Sequence, residues 1–284
     1  MTYNEFIIER KLKEFLEEDC SFKDVTSTLI PPDAHASAKI IVKSGGFISG
    51  LKELEILFQL LNIKAKFHVK DGNPVQSGDV IVELTGNARE ILFGERVGLN
   101  VVTHMSAITT MTRYFTDMIK KEGKRTKIAG TRKTIPGMRV FEKRAMELGE
   151  GDPHRFSLDD MILIKDTHLR YHEGKIEQIL KKAKQISSFS KKIEIEVERV
   201  EDVIIAAKNG ADIIMLDNMN PKEVERSIKL LSEEGLRDRV LVEVSGGINR
   251  ENINAYLASE PDVISTSELT QFPSEHVDLS LRFD

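Results

Sequence analysis

A single cysteine, Cys20, occurs in 284 residues, so the chain can close no internal disulfide and build no cysteine-rich zinc centre. That usage fits a reducing compartment. No apolar run approaches the roughly 18 residues that a membrane helix needs. The opening MTYNEFIIERKLKEF alternates apolar and charged residues at helical spacing and lacks the apolar centre of a secretion signal. A cytoplasmic location is the expectation. Basic excess is missing too: 41 Lys and Arg stand against 46 Asp and Glu, a formal charge of −5. Without interleaved aromatics and cations, a nucleic-acid groove is not expected, although a local basic pocket remains open. The sequence has no Walker-type phosphate loop, no nucleophile elbow and no His/Cys spacing of metal-site type.

What is there suits a soluble globular protein built as one large barrel or two domains, with 40% hydrophobic and 31% charged residues. Two regimes are visible. Up to about residue 90 the pattern is mixed. A first helix puts Ile8, Leu12, Phe15 and Leu16 on one face. A strand-like run, Ala38–Lys43, is followed by Gly45-Gly46, a short helix around Leu54–Leu61, and strands at Lys66–Val69 and Asp79–Leu84. Helices beside an antiparallel-looking sheet predict a small α+β domain.

A long helical stretch from Asn87 to about Lys121 then gives way to alternating short strands and amphipathic helices. The strands read as Lys127–Ala129, Met161–Ile164, Ile193–Val197, Asp212–Leu216, Arg239–Val244 and Asp262–Ile264. Among the helices are Lys175–Ile186 and Pro221–Leu231, the latter with Asn220 as N-cap and Pro221 at its first position. Repeated strand–helix units imply parallel strands joined by crossovers. Nearly every strand is followed by groups able to do chemistry, which is how a (β/α) barrel presents its catalytic face. A doubly wound sheet would gather them at one switch point instead. The reading is an α/β barrel, incomplete because only six strands are evident.

Three constellations carry the chemistry. Arg132, Lys133, Arg139, His154, Arg155 and Lys165 cluster near the turn-rich Pro136-Gly137 and Gly149-Glu-Gly151. Arginine grips carboxylates bidentately and lysine adds a point charge, which suits a dicarboxylate or phosphate. Arg139, Lys143 and Arg144 fall on a helix, where a solvated face is the plainer reading for the last two. Glu196 and Asp217 end successive strands and so face one barrel mouth; two carboxylates there suit Mg²⁺. Glu194, Glu196 and Glu198 share one strand face, and which of them reaches the mouth stays open at this point. Finally, Ser245-Gly246-Gly247 before a helix near Asn249, with Ser265–Ser267 after the next strand, could hold a phosphate. His168 could bond a carboxylate or cap a loop.

The string TRKTIPGMRVFEKRAMELGEGDPHRFSLDDMILIKDTHL resembles the signature of the quinolinate phosphoribosyltransferase family, the carboxylating nicotinate-nucleotide pyrophosphorylases. Similarity extends to Asp24–Ser27, Glu95–Asn100, Glu196-Val-Glu198, Leu216-Asp-Asn218, Val244–Ile248 and Ile264–Thr270, which is nearly the whole chain. The resemblance implies an N-terminal open α/β domain, residues 1–110, and an incomplete seven-stranded α/β barrel, residues 111–269. The tail 270–284 would pack back on the first domain. It implies a homodimer and a reaction between quinolinate and phosphoribosyl pyrophosphate, with CO₂ lost and nicotinate mononucleotide formed for NAD biosynthesis.

By matching positions, Arg132, His154, Arg155 and Lys165 would take quinolinate, with Arg96 reaching the same site from the partner chain. Lys133, Ser245, Gly246, Gly247 and Ser267 would hold phosphoribosyl pyrophosphate. Glu196 and Asp217 would stand near its ribose and Mg²⁺, and Lys133, Lys165, Glu196 and Asp217 would form the catalytic group. This chain departs from the family pattern at Gly130, Glu150 and Thr167, and reads Ser267-Glu-Leu-Thr-Gln271 where Gly-Ala-Leu-Thr-His is usual. The Ile164-Lys165-Asp166 motif separates it from the sister proteins of molybdate-transport operons. Two alternatives remain on the residues alone: transfer to nicotinate or another pyridine or azole base, or a catalytically silent barrel that binds a phosphorylated metabolite.

Overall fold

The computed structural model describes residues 4–271 and 273–284; Met1 to Tyr3, and Phe272 within the expected tail, lie outside them. The chain folds as two compact units. One comprises Met1–Arg113, Thr134–Glu150 and Phe272–Asp284, the other Tyr114–Lys133 and Gly151–Gln271.

The first unit opens with α1 (Glu5–Asp19), capped by Asn4 and burying Ile8, Leu12 and Leu16 as the spacing predicts. Then come β1 (His35–Ser44), β2 (Gly46–Phe47), α2 (Leu51–Leu60), β3 (Lys64–Phe67), β4 (Pro74–Val75), β5 (Val80–Asn87) and α3 (Ala88–Lys121), whose residues from Tyr114 onward count with the second unit. α4 (Arg139–Leu148) and a last strand, Asp278–Phe283, also belong here. The main sheet is antiparallel, in the order last strand, β1, β5, β3. In β1 every second residue, Ala38, Ile40 and Val42, is buried, as expected for a sheet with one packed face.

The second unit holds six parallel strands: β6 (Lys127–Ala129), β7 (Ile162–Ile164), β8 (Ile193–Val197), β9 (Ile213–Asp217), β10 (Leu241–Ser245) and β11 (Val263–Ser265). They run in the order β6-β11-β10-β9-β8-β7. Asp152 extends the sheet past β6: its N–H donates to Ile128 O at 2.8 Å and its carbonyl accepts from Gly130 N at 2.9 Å. The seventh stave of the expected barrel is therefore reduced to one bridging residue. Pro153 follows it, and proline has no N–H to continue a ladder.

Between the strands stand α5 (Asp166–Tyr171), α6 (Ile176–Ile186), α7 (Val200–Lys208), α8 (Pro221–Glu233) and α9 (Ile253–Leu257). Asn220 caps α8 through Lys222 N and Glu223 N, while Glu223 bonds back to Asn220 N at 2.9 Å. Ile195, Ile214, Val242 and Ile264, one residue from each of four strands, are wholly buried. At the alternating positions stand Met215 and the three acids Glu194, Glu196 and Glu243, all buried. Among the described residues no helix is long and apolar enough to cross a membrane.

Candidate active site

A cavity of about 780 Å³ opens at the carboxyl ends of the parallel strands. Arg132 follows β6, Arg155 follows the Asp152 bridge, and Lys165 follows β7; Glu196, Asp217, Ser245 and Ser265 come from β8, β9, β10 and β11. Contributions from every strand to one mouth require the sheet to curl round it, which is the barrel arrangement.

One wall is cationic. Burial and the neighbouring Arg132 guanidinium both disfavour charge on Arg155, and Glu194, Glu196 and Asp160 offset this only in part. Two guanidiniums that repel each other in a partly desolvated site are arranged for an anion. Lys165 Nζ lies 3.3 Å from Glu196 Oε1. Its backbone N–H donates to His168 Nδ1 at 2.9 Å, so His168 caps α5 rather than facing a carboxylate.

The adjoining wall is acidic. Burial raises the Glu196 carboxyl above its ordinary value; Lys165 opposes this, while Asp217 adds to it. Burial likewise raises Asp217, with Asn218 Nδ2 donating to Oδ2 at 2.9 Å in opposition and Glu198 and Asp166 reinforcing it. Glu196 and Glu198 line the cavity, Glu198 as an exposed rim residue. Glu194 sits one layer deeper, which resolves the alternation along β8. Its side chain is wholly buried, and neither carboxylate oxygen has a hydrogen-bond partner among the described residues. Burial first, then Glu243, pushes its pKa up to about 8 against the opposing pull of His154 and Arg155, so the fold favours the neutral form of Glu194.

The third wall is a loop. Gly246 and Gly247 both have positive φ, 98° and 62°. A Cβ at Gly246 would meet Asn218 Oδ1 at 2.4 Å and Asn218 N at 2.8 Å, so the backbone approach there requires glycine. The expected helix near Asn249 begins only at Ile253. The side chains of Asn249 and Asn252 take the backbone N–H groups of Asn249, Glu251 and Asn252 into local turns, which delays it. Asn252 Nδ2 donates to Gly247 O at 2.9 Å and Thr266 Oγ1 to Ile248 O at 2.8 Å, bracing the loop. Across the mouth, Thr270 Oγ1 donates to Lys133 O at 2.7 Å and anchors that segment.

Arg132, Lys133, His154, Arg155, Lys165, Glu196, Asp217, Ser245, Gly246, Gly247 and Ser267 thus all line this single cavity. Arg96 is an exposed residue of α3 in the first unit. Sequence reasoning passed over Glu243, which also lines the cavity and is 1% exposed. The signal was a carboxylate inside the apolar run Leu241-Val-Glu-Val244. Gln271, the other residue of the altered last motif, is exposed and does not line the cavity.

Two family models together match most of this chain. The quinolinate phosphoribosyl transferase N-terminal domain matches residues 24–106 and the C-terminal domain of the same family matches residues 108–282. A relative from Methanothermobacter thermautotrophicus, named "Probable nicotinate-nucleotide pyrophosphorylase (carboxylating)", is 39% identical over 95% of this chain and 96% of its own. The Dictyostelium discoideum nicotinate-nucleotide pyrophosphorylase (carboxylating) is 34% identical over 98% of this chain and 96% of its own. The structure of the nicotinate-nucleotide pyrophosphorylase from Francisella tularensis superposes with a TM-score of 0.91 at 32% identity, covering 100% of this chain and 98% of that one. With its barrel, its paired arginines and its acidic mouth, the chain belongs to the quinolinate phosphoribosyltransferase family.

Proposed function

We infer that this chain transfers the phosphoribosyl group of phosphoribosyl pyrophosphate to the ring nitrogen of quinolinate, with loss of CO₂. The products are nicotinate mononucleotide and pyrophosphate, for NAD biosynthesis. The observation that carries the reading is the Arg132–Arg155 pair, two cations crowded into one wall, which suits the two adjacent carboxylates of quinolinate.

Arg132 and Arg155 bind the carboxylates, with Lys165 beside them and His154 beneath. Lys133, Ser267 and the Ser245-Gly246-Gly247 loop hold the phosphorylated ribose. The ring nitrogen attacks C1 of the ribose as the C1–oxygen bond to pyrophosphate breaks, and positive charge develops on the sugar. Glu196 and Asp217 stand where that charge can be offset. The new pyridinium nitrogen then draws the electron pair of the adjacent carbon–carboxylate bond, CO₂ departs, and the ring carbon takes up a proton. Positioning and electrostatics suffice, and no covalent nucleophile is needed.

Glu196 and Asp217 also fit Mg²⁺: two partly buried carboxylates, both raised by burial and by surrounding acids, form the donor set that ion shares with substrate phosphates. When bound, it would neutralise charge on the departing pyrophosphate. In a homodimer, Arg96 of one protomer would add a cation to the other's site. The protein would act in the cytoplasm. Incubation with quinolinate, phosphoribosyl pyrophosphate and Mg²⁺ should release nicotinate mononucleotide and CO₂ in equal amounts. Absence of both products would reject the reading.

A further inference from the structure

Beneath the mouth, His154, Glu194 and Glu243 bring three potential ligand atoms within 4.8 Å of one another. A cation site is the first idea such a cluster suggests, but the imidazole speaks against it. The Arg155 backbone N–H donates to His154 Nδ1 at 2.7 Å. A backbone amide can only donate, so Nδ1 carries the lone pair and the ring proton sits on Nε2. Nε2 lies 3.0 Å from Glu243 Oε2 and donates to it. The other oxygen of Glu243 accepts from Ser265 Oγ at 2.5 Å. A metal on Nε2 would need the ring proton on Nδ1, against the Arg155 N–H already pointing there.

The same tautomer bears on substrate binding. Both ring nitrogens are engaged within the protein, one with Glu243 and one with Arg155. The imidazole therefore has no N–H to offer a carboxylate in the cavity. Its link toward the substrate is the backbone of the next residue. His154 itself is held in the left-handed region, φ 56°, with its N–H donating to Asp152 Oδ1 at 2.8 Å. Asp152 is fixed in turn to β6. A residue other than glycine keeps such a conformation only where its surroundings over-determine it.

We propose that Ser265, Glu243 and His154 form a hydrogen-bonded chain whose task is to place Arg155, making Glu243 and His154 positioning residues and Arg155 the group that meets the substrate. Glu243 fixes the tautomer, the tautomer fixes the Arg155 amide, and the left-handed turn delivers the guanidinium beside Arg132. The inference rests on reading the cavity as the quinolinate site.

The first test needs no substrate, so it can fail independently of that reading. In protein labelled with ¹⁵N at histidine, with His154 assigned by its loss in His154→Gln, the resonances should show a neutral ring protonated at Nε2. Addition of diamagnetic Mg²⁺ should leave the proton on Nε2. A ring protonated at Nδ1, or loss of the Nε2 proton when Mg²⁺ is added, would overturn the proposal. The second test is kinetic. Glu243→Leu should raise KM for quinolinate about tenfold, the scale of one ordinary lost hydrogen bond, while KM for phosphoribosyl pyrophosphate moves less than about twofold. Glu243→Gln keeps an acceptor for Nε2–H and should restore most of the loss. Equal changes in both KM values, or no rescue by glutamine, would reduce Glu243 to a packing residue and reject the proposal. If Glu243→Leu does not fold, the tautomer and the glutamine variant still decide. Failure of the wild-type protein to bind quinolinate would instead remove the functional reading and leave the tautomer result standing.

Discussion

Two arginines, one in each unit, show how a buried charge can be finished or left open. In the first unit Arg144 donates to both oxygens of Glu53, and its Nη2 lies 3.0 Å from Asp71 Oδ2. Burial works against its charge, but Glu53 and Asp71 outweigh that and its pKa rises. Asp71 also caps α2 through Leu51 N at 2.9 Å, so the cluster ties helix, turn and α4 together. In the second unit Arg155 has burial and a second arginine against it, and its pKa falls. The first cluster is closed by the protein's own carboxylates; in the second, Glu194, Glu196 and Asp160 offset burial and crowding only in part. A buried cation fully countered by nearby carboxylates is architecture; one countered only in part suits the binding of an anion.

Removing the cation separates the two most sharply. Arg144→Ala strands Glu53, which is 1% exposed, and should destabilise the fold by about 3–5 kcal/mol, measured by denaturant unfolding. Arg155→Ala or Arg132→Ala should instead leave the midpoint of unfolding nearly unchanged. Either should weaken quinolinate binding by about 2–5 kcal/mol, read as a fall in kcat/KM for quinolinate. A large stability loss in Arg155→Ala, or full turnover by Arg132→Ala at low quinolinate, would erase the contrast.

Gly246→Ala tests the phosphate side. The added methyl group would press on Asn218 at a backbone with φ 98°, and about 1–3 kcal/mol of strain should appear as weaker phosphoribosyl pyrophosphate binding by calorimetry. The last test is read as a pH slope and concerns Glu194. Its native pKa of about 8 lies above the ordinary 4.5, so the fold favours its neutral form. That contribution is complete below pH 4.5 and is lost as pH rises through about 8. Glu194→Gln should therefore flatten the decline of thermal stability across this window. An unchanged pH slope would show that Glu194 is ionised in the native protein.

Much of this was legible because the signals are local. Each of the six parallel strands announces itself as a short β-branched run, and Asn220-Pro221 with Glu223 is a helix start that depends on no distant residue. The last strand, Asp278–Phe283, escaped notice because its partner β1 lies more than 200 residues earlier, and half its residues are polar. Arg144 looked like a solvated helix residue for a related reason: nothing in the helix reveals Glu53 or Asp71, 91 and 73 residues away. In the site, alternation told which face of β8 turns inward but not how deep, so Glu194 and Glu196 were indistinguishable until the barrel fixed their levels. Glu243 was missed because an apolar run hides a single charge. The chain's charge balance gave no hint of two crowded guanidiniums, since net charge averages over clusters of either sign.

The central claim is that the open cationic wall is built for two carboxylates, and competition between quinolinate and nicotinate tests it most directly. With phosphoribosyl pyrophosphate and Mg²⁺ present, kcat/KM for quinolinate should exceed that for nicotinate by at least about 30-fold, the worth of one lost carboxylate–arginine contact, with CO₂ released in step with product. Arg155→Ala should collapse that preference. Equal use of nicotinate, or product from quinolinate without CO₂, would contradict the account.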